Sequence, residues 1–193
     1  MEMRGLLGSS VFGTRLLEVA MDEEARQAIN NSDASGRFMK YDMKTGDVTV
    51  LLRNLSFANG VALSKYNDFV LVAETTANQT LKYWLTGYKA GSYEVFLQLD
   101  GRPDNINRNA EGDFWIALRM AKSIKINYLG VILETLEGDE IVNPSDVTEF
   151  HHRLWIASVA IYYQSEPVIV MQRWYMYLSC LIVYCSSKHG KSE

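Results

Sequence analysis

The chain has 193 residues, with 19 Lys and Arg against 23 Asp and Glu, a formal net charge of −4, and 48% apolar residues. Disorder needs low hydrophobicity with high net charge, and collagen or linker sequence needs far more than 13 Gly and 3 Pro, so both are excluded. The mild acidity leaves no basic footprint for nucleic acid, and the length suits one domain with a real core.

In chain order, the first residues show no charged-then-apolar leader: Leu6–Leu7 is too short for a signal core, and Arg15 and Glu18 break up the next stretch. Leu16–Asn30 carries apolar residues at approximately helical spacing and is read as a short helix. Asn31–Gly36 is turn chemistry. From Gly36 onward the texture is short β-rich runs broken by turns: Arg37–Tyr41, Val48–Leu52, Gly60–Leu63, Phe69–Ala73, Leu81–Leu85 and Tyr93–Leu99. The turn Asp42–Asp47 places Gly46 where a positive φ is needed. In Tyr93–Leu99, Tyr93, Val95, Leu97 and Leu99 alternate with Glu94, Phe96 and Gln98, which predicts one face inward and one outward. Near the C-terminus, Trp174–Cys185 is an uncharged run of 12 residues, short of the roughly twenty a membrane helix needs. It reads as buried or aggregation-prone. Cys180 and Cys185 lie within it, lack the spacing and partners of a zinc site, and read as free thiols.

An internal repeat selects the architecture. Asn59-Gly-Val-Ala-Leu-Ser leads through a polar turn to Asp68-Phe-Val-Leu-Val-Ala73; Asn105-Ile-Asn-Arg-Asn leads to Asp113-Phe-Trp-Ile-Ala117; Asp146-Val-Thr-Glu leads to Leu154-Trp-Ile-Ala157. The endings fall at 73, 117 and 157, spacings of 44 and 40 residues. A period of that length holding several strands is the signature of propeller blades. Closed propellers have typically four to eight blades, so an all-β, partial β-propeller belonging to a longer protein is expected.

Several of these runs resemble the plant strictosidine synthase-like proteins: Gly36-Arg-Phe-Met-Lys-Tyr-Asp42, Phe57-Ala-Asn-Gly-Val-Ala-Leu-Ser64, Val70-Leu-Val-Ala-Glu-Thr75, Pro103-Asp-Asn-Ile106, Gly112-Asp-Phe-Trp-Ile-Ala117 and Leu154-Trp-Ile-Ala-Ser158. The resemblance runs from Gly36 to about Val159 and implies roughly the second half of a six-bladed ring. Residues 1–35 match it poorly, and 160–193 read as a hydrophobic tail foreign to the family. Relatives of this kind are secretory or vacuolar, which makes the sequons at Asn30, Asn54 and Asn78 glycosylation candidates.

The resemblance also implies chemistry. Asn59, Asp104 and Asn105 sit just before apolar strands in consecutive repeats, where propeller loops converge on the axis, and their oxygens suit a hard cation such as Ca²⁺. The related calcium-dependent paraoxonases and gluconolactonases use Asn and Asp-Asn in similar contexts, so the three are candidate metal ligands, although Asn-Gly and Asp-Asn are also ordinary turn pairs. True strictosidine synthases condense an amine with an aldehyde and need a carboxylate as acid and base. Alignment on Leu154-Trp-Ile-Ala157 puts Ser145 at that glutamate's position. A serine cannot do that work unaided. Asp146 is expected to face the other way. Glu149 reads as a solvated turn charge, and His151 and His152 as exposed turn residues. The expectation is therefore a family member acting on a small molecule without the condensing glutamate. The alternatives are a calcium-dependent ester or lactone hydrolase, a non-catalytic propeller, and an inactive piece that self-associates through unpaired blade edges.

Overall fold

The computed structural model describes residues 2–7, 10–15, 34–119, 122–138, 143–150, 153–158 and 181–183, with side chains placed between residues 34 and 158. The helix read over Leu16–Asn30, His151, His152, both cysteines and Asn30 lie outside the described residues. Every described element is a β-strand.

The strands form four sheets, each a meander in chain order. The first holds β1 (Glu2–Leu7), β2 (Ser10–Arg15), β3 (Gly36–Asp42) and β4 (Val48–Leu55). The second holds β5 (Ala58–Leu63), β6 (Phe69–Glu74), β7 (Gln79–Trp84) and β8 (Tyr93–Gln98). The third holds β9 (Pro103–Arg108), β10 (Phe114–Leu118), β11 (Lys122–Ile126) and β12 (Ile132–Glu137). The fourth holds β13 (Pro144–Phe150), β14 (Arg153–Ser158) and β15 (Leu181–Val183). Strands β1, β5, β9 and β13 pack against one another from sheet to sheet, so the first strand of each blade is the innermost. The repeat seen in the sequence is thus the inner hairpin of three successive blades. Glu2–Leu7 and Ser10–Arg15 enter the first sheet, and Leu181–Val183 pairs with β14.

Local chemistry sets these elements. Val, Ile, Leu and aromatic residues supply the strands, and polar turns reverse the chain. Asp42 Oδ1 accepts from Lys44 N at 2.8 Å, and Gly46 takes φ +77° to close the first predicted turn. At the repeat's own turn, Ser64 Oγ accepts from Asp68 N and Phe69 N; one blade later Asn109 Oδ1 accepts from Gly112 N and Asp113 N. Two different side chains cap the same turn.

The core lies between blades. One apolar cluster joins the first two sheets around Phe38, Val61, Val72 and Tyr83; a second joins the next two around Phe69, Leu71, Phe114 and Ile116; a third joins the last two around Trp115, Val147 and Ile156. Because a neighbour covers each face, β6 and β10 are buried at every residue. Alternation survives only partly in the outermost strands. In β8, Tyr93 and Val95 are exposed while Phe96, on the face expected to be polar, packs 6.4 Å from the Phe69 ring. The outward face of one blade is the inward face of the next interface.

Candidate functional site

The inner hairpins share one irregularity. The β5–β6 register slips between Ala58 and Val61, the β9–β10 register between Ile116 and Leu118, and the β13–β14 register between Pro144 and Asp146. Each slip falls at the start of the innermost strand. A bulge there re-aims the side chains beyond it. Backbone bonds then define equivalent positions. Thr75 N donates to Phe57 O and Arg119 N to Arg102 O, at 3.1 and 3.0 Å, while Pro103 pairs with Leu118 as Pro144 pairs with Ser158. Asn59, Asp104 and Ser145 are consequently the matching second residues of three innermost strands. Asn105 and Asp146, aligned with Asn59 in the linear repeat, are one place further on.

The side chains at this level are tied together. Asn59 Nδ2 donates to Thr75 Oγ1 at 3.2 Å, and Thr75 Oγ1 donates to Pro103 O at 2.7 Å, which links the second blade to the third. Asp104, with its side chain 8% exposed, receives Arg119: Nε and Nη2 both lie 3.3 Å from Oδ2. Ser145 is buried, and its Oγ donates to Ala157 O at 3.3 Å. Gly60 lets the inner strands approach. A Cβ there would lie 2.6 Å from Asn105 Cα and 2.7 Å from Ile106 N.

Two further carboxylates carry structure that the linear pattern hid. Glu74 is buried at the end of β6, with Oε1 accepting from Ser56 N and Oε2 from Gln79. Glu149 is not a solvated turn charge. Its Oε2 accepts from Asn109 Nδ2 at 3.0 Å, Trp115 Nε1 at 3.0 Å and Lys125 Nζ at 3.3 Å, all from the third blade. Burial pushes its pKa up, but these hydrogen bonds and the Lys125 charge outweigh that and hold the carboxyl below its ordinary range. Beside it, Asn107 Nδ2 bridges from β9 to Asp146 Oδ1 and Val147 O. Partners 24 to 40 residues apart leave no mark in local sequence.

The fit of the predicted ligand trio to Ca²⁺ is poor. Calcium takes six to eight oxygens, commonly with several carboxylates. Among the described residues no three His, Cys, Asp or Glu side chains cluster. Asp104 is the one carboxylate of the trio, and a guanidinium already occupies its Oδ2. Asn105 Oδ1 is buried without a hydrogen-bond partner, an acceptor open to a water or a cation, yet it lies one residue off the shared level. Of the sequons, Asn54 is exposed at the end of β4 with φ +61°, while Asn78 has a buried Oδ1. No described helix is long and apolar enough to cross a membrane.

Comparison with known proteins agrees with this layout. A family model described as Strictosidine synthase matches residues 21–88. Protein STRICTOSIDINE SYNTHASE-LIKE 10 of Arabidopsis thaliana is 39% identical over 69% of this chain and 47% of its own length. Strictosidine synthase of Catharanthus roseus is 38% identical over 77% of this chain and 45% of its own length. The chain thus spans about half the length of the curated relatives it matches. Among solved structures, a luciferin-regenerating enzyme superposes with a TM-score of 0.64 at 15% identity, and the calcium-binding protein regucalcin of Agrobacterium tumefaciens with 0.63 at 17%; each alignment covers 81% of this chain and 52% of the other. At such identities the likeness speaks for the fold alone. With its inner hairpins, its blade-to-blade cores and these relatives taken together, the chain belongs to the strictosidine synthase-like family and is part of a six-bladed β-propeller.

Proposed function

We propose that this chain contributes to a small-molecule-binding propeller that does not perform amine–aldehyde condensation. The observation that carries the reading is the buried Ser145 hydroxyl bonded to Ala157 O, at the position that the resemblance aligns with the condensing enzymes' glutamate. A hydroxyl has no accessible charge change near neutral pH and cannot take and return the protons of the condensation. The carboxylates nearby do not substitute for it. Asp104 is held by Arg119, Glu74 spends both oxygens on Ser56 and Gln79, and Glu149 lies four residues along β13, about 13 Å away at strand rise. Calcium-dependent ester or lactone hydrolysis is the weaker reading, because the Arg119–Asp104 pair stands where the ion would need a bare carboxylate.

The test is product formation. The full chain is incubated with an arylethylamine and an aldehyde, and separately with an aryl ester, with and without chelator, and products are followed by mass spectrometry. No cyclised amine adduct and no chelator-sensitive hydrolysis are expected. Sustained turnover to the cyclised adduct would overturn the reading, and hydrolysis abolished by chelator would replace it with the calcium-dependent one.

A further inference from the structure

We propose that Arg119 is a carboxylate-binding group at the inner-strand level of the propeller, standing in place of a metal ion and selecting an organic anion as ligand. The inference deepens the small-molecule reading above and rests on it. It begins with how the guanidinium is held. Arg119 follows β10 directly, and its backbone N–H is fixed on Arg102 O at 3.0 Å. Its side chain meets Asp104 through Nε and Nη2, the side edge of the fork. Both contacts go to one oxygen, Oδ2, and Asp104 is almost wholly buried beneath it. The end edge, one Nη1 proton beside the second Nη2 proton, has no acceptor among the described residues, and the side chain is 35% exposed. Two parallel N–H groups on that edge match the two oxygens of a carboxylate.

The surroundings favour the same sign of charge. At this level stand an amide at Asn59 and hydroxyls at Thr75 and Ser145, all neutral. The buried Glu74 carboxylate faces the Ser56 N–H and Gln79 instead. Among the described residues at this level the one carboxylate is Asp104, which Arg119 already pairs, so an entering carboxylate meets the open edge of the guanidinium, whereas an ammonium ion or Ca²⁺ meets a fixed cation. In the preceding blade the residue matching Arg119 is Thr75, whose hydroxyl is used up between Asn59 and Pro103 O. The third blade thus departs from its neighbour by presenting a cation, and the buried Asp104 pre-orients that cation without covering it.

The experiment compares three phenyl ligands of nearly equal size, phenylacetate, phenylacetamide and phenethylamine, by isothermal titration of the full chain at low salt. Phenylacetate is expected to bind about tenfold more tightly than the amide, the difference a charge-assisted bidentate contact supplies, and phenethylamine to bind more weakly still. Arg119→Gln should bring acid and amide to equal affinity. Because that change leaves Asp104 buried without its cation, the Asp104→Asn/Arg119→Gln double variant, which removes both charges, is measured beside it and should behave alike. Equal affinity of the wild-type chain for acid and amide, or a preference for the amine, would overturn the proposal while leaving small-molecule binding standing. Binding of phenylacetate that needs added CaCl₂, or a wild-type melting temperature raised by CaCl₂, would overturn it in favour of a metal.

Discussion

Glu149→Leu removes the acceptor on which three side chains of the third blade converge, and its cost can be worked from the structure. Trp115 is 1% exposed, so its indole N–H cannot turn to water when Glu149 Oε2 is gone. A buried donor left unpaired costs about 1–3 kcal/mol. Asn109 keeps its bonds to Gly112 N and Asp113 N through Oδ1 and loses only the Nδ2 contact. Lys125, with its side chain 18% exposed, loses its counter-ion but can move toward solvent, so its share is discounted. The total is about 2–4 kcal/mol. With a urea m-value of about 2 kcal/mol/M, the midpoint should fall by roughly 1–2 M. The fluorescence of the chain's four Trp, Trp115 among them, reports the transition. Glu149→Gln, which keeps an acceptor but not the charge, tests the electrostatic part. A carboxyl held below its ordinary range stabilises the fold above the unfolded-state pKa and loses that contribution as pH falls through the folded-state value. The gap between wild type and Glu149→Gln should therefore be constant at neutral pH and close on acidification. An unchanged midpoint for Glu149→Leu, or a gap that ignores pH, would refute the assignment of Glu149 as the link between the third and fourth blades.

The same geometry sets other outcomes. Gly60→Ala puts a methyl against backbone atoms of β9, which cannot rotate away, so a loss of about 1–3 kcal/mol is expected in the same urea assay. Leu71→Ala, at a fully buried site between the second and third blades, should cost about 2–5 kcal/mol. Lys82 lies with Nζ 4.2 Å from the Phe69 centroid and 4.0 Å from that of Phe96, and donates to Tyr128 O across the same interface. Burial lowers its pKa most, with Glu94 and Asp68 opposing. Because Lys82 then binds more protons in the unfolded chain in the alkaline range just below 10.5, its own contribution rises with pH there, so the stability of wild type relative to Lys82→Met should increase as pH is raised through that range. A urea series at alkaline pH reads both.

The linear pattern carried the strands and their order. Phe69–Ala73, Gly60–Leu63 and Tyr93–Leu99 were legible because short β-branched and aromatic runs between polar turns have few alternatives to extended structure. The spacing of 73, 117 and 157 carried the blade, because each repeat must bury its faces against the next copy of itself. Family membership was legible for a related reason: Phe57–Ser64 and Gly112–Ala117 are whole hairpin segments, and their identity depends on near neighbours.

Tertiary structure decided what linear spacing could not express. Strand alternation failed at Phe96 because a blade is covered on both faces, so no side of β8 near the next sheet is simply outward. Asn59, Asp104 and Ser145 became equivalents, in place of Asn59, Asn105 and Asp146, because a bulge at the head of each inner hairpin shifts the facing of every later residue, and a register slip leaves no residue-type signature. Glu149 and Asp104 acquired their roles from partners: Trp115 and Lys125 on a neighbouring blade, Arg119 across a hairpin. Residue type fixes which groups can bear charge or donate hydrogen bonds, and β-propensity fixes where the chain extends. Which of those groups meet depends on how twisted sheets stack about an axis, and that is settled only when distant segments pack.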